Sequence, residues 1–393
     1  MSPRSSHAAF RVGGRIEDPY YVPRPEIEQS LLRDARTLAQ SNVIMAPRRF
    51  GKTALLQRVC AELSNDMMAP YVNCLPLHRA EIFHDRIVEA VLDAFEARHG
   101  KARKLLATWK DVIRRPIIGA LERLEEVGGS VQNVGGIRLK FRTQEADEDE
   151  LLRSALNFPE RFAEETGESV LLALDELQAL TALGERIFPL FKSAMDSQRR
   201  VAYLFSGSSL TLLRDVFAQE GKSPLYQMVG RTFLEELDSG AVAAFVKRRL
   251  RSADGAQIEP SALDRYIERV GGIPYYVQKL GLLLEHRLHL QGGKTVREKD
   301  VEDAFERLLD ELDLDFQERW TTRFSDQQQA ILLALCIGPA GSSQIAERAG
   351  VPAANLTYNL KQLVGTMILR KESNRYRITD SVFAAWLARL LGQ

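Results

Sequence analysis

Residues 45–59 read MAPRRFGKTALLQRV, and the architecture of the chain turns on them. Val43 to Met45 is a short apolar run suited to a buried strand. Beyond Lys52, the residues Leu55, Leu56, Val59, Cys60 and Leu63 recur at the spacing of a helix stripe. Between the two lies a loop that ends in Gly51-Lys52-Thr53. In a strand, loop, G-K-T, helix context, successive backbone N–H groups and a helix N-terminus surround phosphates; the lysine reaches the terminal phosphates and the hydroxyl holds Mg2+. Ala46 stands where the first glycine of G-x-x-x-x-G-K-[ST] is usual, adding one methyl. Arg48 and Arg49 sit inside the loop and either touch phosphate or pair with nearby acidic residues. On this reading Ala46, Pro47, Arg48, Arg49, Phe50, Gly51, Lys52, Thr53 and Ala54 form a nucleotide-binding loop.

A second stretch supports it. LLALDELQ, residues 171–178, sets four apolar strand residues directly before Asp175 and Glu176. A strand of this kind is expected beside the loop strand, with Asp175 in the Mg2+ shell and Glu176 orienting or deprotonating the attacking water. No N-K-x-D guanine motif occurs, so ATP is the expected nucleotide and Glu176 the expected catalytic base, with Lys52 beside it. FSGSS, 205–209, closes a neighbouring strand; Ser206 and Ser208 there contact the γ-phosphate or the attacking water, or simply form a turn. Arg231, just before a fifth strand, is either an arginine finger towards a neighbouring subunit or a surface cation.

Lys plus Arg and Asp plus Glu both number 53 in 393 residues, so no overall charge bias points to nucleic acid or an acidic membrane. Three scattered cysteines, Cys60, Cys74 and Cys336, suit a reducing compartment and offer no zinc pattern. The beginning of the sequence lacks a signal-peptide pattern and no apolar run reaches membrane-spanning length, so the expected location is cytoplasmic. The expected organisation is an N-terminal segment and helix over 1–40, an α/β core over 41–238 carrying an insert of helices and a hairpin at 97–150, four helices over 239–321 with no evident strand, and three helices plus a hairpin over 322–393. Alternating strands and helices in the core predict a parallel sheet covered on both faces.

The combination resembles the STAND class of AAA-related ATPases, especially the archaeal-type ATPase family with bacterial members. APRRFGKTALL is similar to that family's G-P-R-R-x-G-K-T/S-x-L-L loop, LLALDELQ to its D-E-[FIL]-Q strand, and FSGSS to its G-S-S turn. GGIPYYVQKL resembles its G-x-P-Y-Y/F lid motif, and YRITDSVFAAWL the end of its winged helix, with Ser381 where proline is usual. The segment FRVGG to YYVPRPEIEQSL is similar to the part that contacts the base in relatives. The resemblance implies a P-loop NTPase of ASCE/AAA-like kind with a helical lid and a C-terminal winged helix. It further implies a slow, Mg2+-dependent ATPase acting as a conformational switch. Lys52 and Thr53 would take phosphate and Mg2+, Asp175 the Mg2+, Glu176 the catalytic base, and Pro274 would set the lid helix against the nucleotide.

From Thr322 to Gln393 there are eight Lys/Arg and four acids. Helix 353–363 would expose Asn355, Tyr358, Asn359, Lys361 and Gln362, and the hairpin adds Arg370, Lys371, Arg375 and Arg377. These suit phosphates and base edges of duplex DNA. A protein partner or an intramolecular autoinhibitory contact suits the same fold, as does ATP-dependent self-association. The other functional class is a DNA-binding regulator, or a stress or defence scaffold, that uses nucleotide occupancy with little hydrolysis.

Overall fold

The computed structural model describes residues 8–99, 148–253 and 255–392. The greater part of the expected insert, including its hairpin, lies outside the described residues. The described residues form two compact units, one within Arg24–Ala46 and Lys52–Leu234, the other within Met1–Pro23, Pro47–Gly51 and Glu235–Gln393.

The first unit is a five-stranded parallel sheet. Its elements are α1 (Pro25–Arg36), β1 (Ser41–Met45), α2 (Lys52–Leu63), β2 (Tyr71–Asn73), α3 (Ala80–His99), α4 (Glu148–Thr166), β3 (Val170–Asp175), a 3-10 segment (Leu177–Leu183), α5 (Ile187–Ser197), β4 (Val201–Gly207), α6 (Leu210–Phe217) and β5 (Val229–Phe233). Every residue of β3 is buried, as expected for a strand covered by helices on both faces. The strand order is β2-β3-β4-β1-β5, all parallel. The carboxylate strand therefore does not neighbour the loop strand, contrary to expectation: β4 lies between them. Met45 pairs with Gly207 and Asn73 with Asp175, so the carboxyl ends of β1, β3 and β4 meet at one edge of the sheet. Ligands of open α/β sheets bind at that edge. Beneath it, Tyr203 and Phe205 stack at 5.4 Å, and Phe191 of α5 meets both rings edge-on. Leu172, fully buried in β3, pairs in register with Tyr203. Leu172→Ala is expected to lower unfolding stability by about 2–5 kcal/mol in urea titration, the usual cost of a lost side chain plus its cavity.

The second unit holds α7 (Ser239–Ser252), β6 (Gln257–Ile258), α8 (Pro260–Val270), α9 (Pro274–Gln291), β7 (Thr295–Val296), α10 (Glu298–Arg323), α11 (Asp326–Cys336), α12 (Ser342–Ala349), α13 (Ala353–Gly365), β8 (Leu369–Glu372), β9 (Arg375–Ile378) and α14 (Ser381–Leu390). The four expected helices, α7 to α10, are present. A two-residue parallel pair, β6 with β7, corrects the expectation of no strand there. Asp238 starts α7 by accepting the Gly240 and Ala241 N–H groups. The N-terminal segment is strapped to α9: Glu285 accepts from the Ala9 and Phe10 N–H groups, and Gln278 from that of Arg11. Phe10 lies so close to α9 that a Cβ on Gly281 would stand 2.3 Å from its ring, which accounts for glycine inside a long helix.

The C-terminal hairpin turns at Ser373 and Asn374, both left-handed at φ 44° and 69°, the geometry a two-residue turn between right-twisted strands requires. Asn359, expected on the exposed face of α13, is instead only 6% exposed and donates to Gln327 and to the Asn355 carbonyl. Its carboxamide braces α13 rather than meeting a partner.

Candidate nucleotide-binding site

In the first unit, the sheet edge brings Lys52, Thr53, Asp175, Glu176 and Ser206 together. Lys52 opens α2, is 5% exposed, and donates from Nζ to the Ala46 carbonyl at 2.9 Å. Asp175 is 1% exposed at the end of β3. Its Oδ2 accepts from Thr53 Oγ1 at 2.7 Å and from the Tyr71 hydroxyl at 3.0 Å; its Oδ1 accepts from the Ser206 hydroxyl and from the Glu176 N–H. Ser206 thus touches the aspartate from the intervening strand β4, a role that strand order alone makes available. Tyr71, from the edge strand β2, was not foreseen; nothing in its local sequence marks it.

A buried carboxylate held by these neutral donors is a strong attractor for a cation. The surroundings feel it: burial first, then the charge of Asp175, pushes the Tyr71 phenol above its ordinary value. Burial, then Asp175 and Glu176, raises the Cys74 thiol likewise. Both groups stay protonated at neutral pH. Among the described residues no group of three or more His, Cys, Asp or Glu is gathered for a metal. The donor set here is instead one hydroxyl and one carboxylate, hard oxygens of the kind Mg2+ uses when substrate phosphates and water complete its shell.

Residues Pro47 to Gly51 belong to the second unit, where Arg49 is the anchor. Its backbone is left-handed at φ 78°, a strained setting for a residue with a side chain. Its guanidinium lies 5.1 to 5.3 Å from the ring centres of Tyr275, Tyr276 and Phe316. It pairs with Asp315 and donates to the Tyr276 hydroxyl at 2.6 Å. That hydroxyl donates onward to Asp380 at 3.1 Å. Asp380 also receives Arg319 at 2.9 Å, and its other oxygen caps α14 through the Phe383 N–H at 3.0 Å. Burial lowers the pKa of Arg49, but Tyr276, Asp380 and Asp315 outweigh it and hold the side chain as a cation. Of the two alternatives for Arg49, pairing with acidic residues is the one seen. Pro274 lies 3.6 Å from where a Cβ of Gly51 would stand, and the Tyr275 N–H donates to the Arg49 carbonyl at 3.3 Å. Arg48 is exposed.

Other expected residues are placed differently. Arg231 lies within β5, not before it, and is exposed on that edge strand. On the hairpin, Arg370 is paired with Glu235, Glu236 and Glu372, and Arg377 with Glu236 and Glu372. Two of the four hairpin cations are thereby neutralised. Arg375 reaches the Pro339 carbonyl, and Lys371 lies over the Tyr376 ring. Asn355, Tyr358 and Lys361 remain exposed on α13, Tyr358 at 64%.

Comparison with protein-family models finds no match, and neither does comparison with curated proteins. Among solved structures, the chain is similar to the Walker-type ATPase PABY2304 of Pyrococcus abyssi, with 20% identity, a TM-score of 0.66, and coverage of 97% of this chain and 99% of that one. The fold is that of the P-loop NTPases. Cdc6p of Pyrobaculum aerophilum follows at 14% identity and TM-score 0.46, covering 95% and 97% of the two chains. The Orc1 protein of Aeropyrum pernix, solved in complex with DNA, follows at 15% and 0.45, covering 94% of each. Among the described residues, no helix of this chain is long and apolar enough to cross a membrane.

Proposed function

We propose that the chain is a Mg2+-dependent ATP-binding and ATP-hydrolysing switch of STAND-like type, in which nucleotide state governs a C-terminal winged helix and, through it, a DNA or protein partner. The observation that carries this reading is the path from Arg49 through Tyr276 to Asp380. It ties the phosphate loop to the cap of α14 by three consecutive polar contacts.

The chemistry follows from the residues. Lys52 would leave the Ala46 carbonyl for the terminal phosphates, a charge-assisted contact of the strong kind. Thr53 and Asp175 would exchange their mutual hydrogen bond for Mg2+, which when bound would neutralise charge building up on the phosphates. Glu176 would take the proton of the attacking water. Any change in loop conformation that lets Arg49 relax from its left-handed backbone strains or breaks the contacts to Tyr275, Tyr276 and Asp315. The strain at such a position is worth about 1–3 kcal/mol, enough to bias an equilibrium several-fold or more.

Asp380→Asn tests the link without removing the helix cap, because asparagine caps as well as aspartate. It discharges the contacts to Arg319 and Tyr276, and stability should fall by about 1.5–3 kcal/mol, the worth of hydrogen bonds to a charged group. In wild type, hydrogen exchange over 369–390 should differ between ADP and a non-hydrolysable ATP analogue; in Asp380→Asn that difference should disappear while nucleotide affinity persists. Equal protection with both nucleotides in wild type would refute the switch. For the partner, the neutralised Arg370 and Arg377 favour α13 over the hairpin as the contact surface. Lys361→Glu should weaken retention on duplex DNA more than Arg377→Glu does; no retention by the wild type would point to a protein partner.

A further inference from the structure

The Glu176 carboxylate ends in a clamp built from two elements of the first unit. Its Oε2 accepts from the Gln178 side-chain amide and, at 3.0 Å, from the Ser208 hydroxyl. The same amide nitrogen donates to the Ser208 oxygen at 3.1 Å, and the amide oxygen accepts the Ser208 backbone N–H at 3.1 Å. Every hydrogen bond seen on the Gln178 side chain is thus directed to Glu176 and the turn after β4. Among the described residues, Glu176 Oε1 accepts no hydrogen bond.

The backbone is shaped to make this possible. Glu176 is left-handed, at φ 56° and ψ 47°, with its N–H on Asp175 Oδ1 at 3.0 Å; the 3-10 segment begins at the next residue. That bend brings Gln178 round to the end of β4. There Gly207 leaves space: a Cβ on it would stand 2.7 Å from the Gln178 amide oxygen and 3.3 Å from Leu213.

The geometry assigns Gln178 as a positioning residue for hydrolysis: with Ser208 it pins Oε2 of Glu176 and leaves Oε1 as the proton acceptor. The assignment rests on the ATPase reading. In the step it serves, a water proton passes to Oε1, the water oxygen bonds the γ-phosphorus, and the bond from that phosphorus to the β-phosphate oxygen breaks, releasing ADP and phosphate.

The test compares kcat for phosphate release and Kd for ATP in wild type, Gln178→Met, Gln178→Glu and Gly207→Ala. Methionine keeps the length and loses the amide; kcat should fall about 10- to 100-fold, as a misplaced catalytic group costs, with Kd within about 2-fold. Glutamate restores an acceptor for the Ser208 N–H but no donor for Glu176, so it should not rescue kcat. Gly207→Ala leaves Gln178 intact and displaces its amide, and should lower kcat in the same sense. Activity regained in Gln178→Glu would mean that Gln178 merely braces the β4 turn, and would overturn the assignment. So would a kcat within 2-fold of wild type in Gln178→Met, or equal losses of kcat and affinity. A wild type that binds ATP but releases no phosphate overturns the ATPase reading, and the assignment with it.

Discussion

Phosphate release by Glu176→Gln is expected to fall about 10²- to 10⁴-fold, the usual contribution of a general base, while ATP binding stays at the wild-type level. Glutamine has the size of glutamate and retains an oxygen to accept from Gln178 and Ser208, so the clamp and the left-handed turn at 176 should survive. What it loses is the ability to take a proton from water. Single-turnover phosphate release set against equilibrium ATP binding separates the two quantities. Release at the wild-type rate would remove Glu176 from the chemistry. The variant also decides between the functional classes: a hydrolysing switch should be trapped in its ATP state with altered partner binding. A regulator that needs only occupancy should bind its partner unchanged.

Lys52→Ala should weaken ATP binding on the order of 10- to 100-fold, which is what losing a charge-assisted hydrogen bond of 1.5–3 kcal/mol amounts to. The side chain is buried and donates to a loop carbonyl, so its removal orphans that carbonyl oxygen at the loop's start and should leave the sheet intact. Far-UV circular dichroism should match wild type, and titration with a fluorescent ATP analogue should report the loss. Undiminished affinity would mean that Lys52 stays on Ala46 in the bound state and that the loop holds phosphate by its N–H groups alone.

The parts of the site that are local in the chain were legible in the sequence. A strand, a G-K-T loop and a helix stripe follow one another within about twenty residues, and Asp175 ends its apolar strand with Glu176 directly after it. Strand adjacency was not legible, because β1, β3 and β4 are all short buried apolar runs, and no local signal says that β4 inserts between the other two. The clamp on Glu176 escaped notice for a related reason. Gln178 sits in the quoted motif, but its partner Ser208 is 30 residues away and reached only through the left-handed turn at 176. Charge counting along the hairpin gave no sign of its ion pairs. Arg370 and Arg377 both pair with Glu236, 134 and 141 residues earlier. The β6–β7 pair is too short for any alternation to register.

The strap on α9 has a consequence for how the chain comes into being. Ala9 and Phe10 hydrogen-bond to Glu285, 276 and 275 residues downstream. At synthesis rates of 5–20 residues per second, these two backbone N–H groups wait roughly 14–55 s for their acceptor to be made. The sheet unit can be complete by residue 234, long before that. A truncated or stalled chain lacking α9 would carry a finished sheet unit while the Ala9 and Phe10 N–H groups lacked their acceptor and the Phe10 ring lacked the helix it packs against.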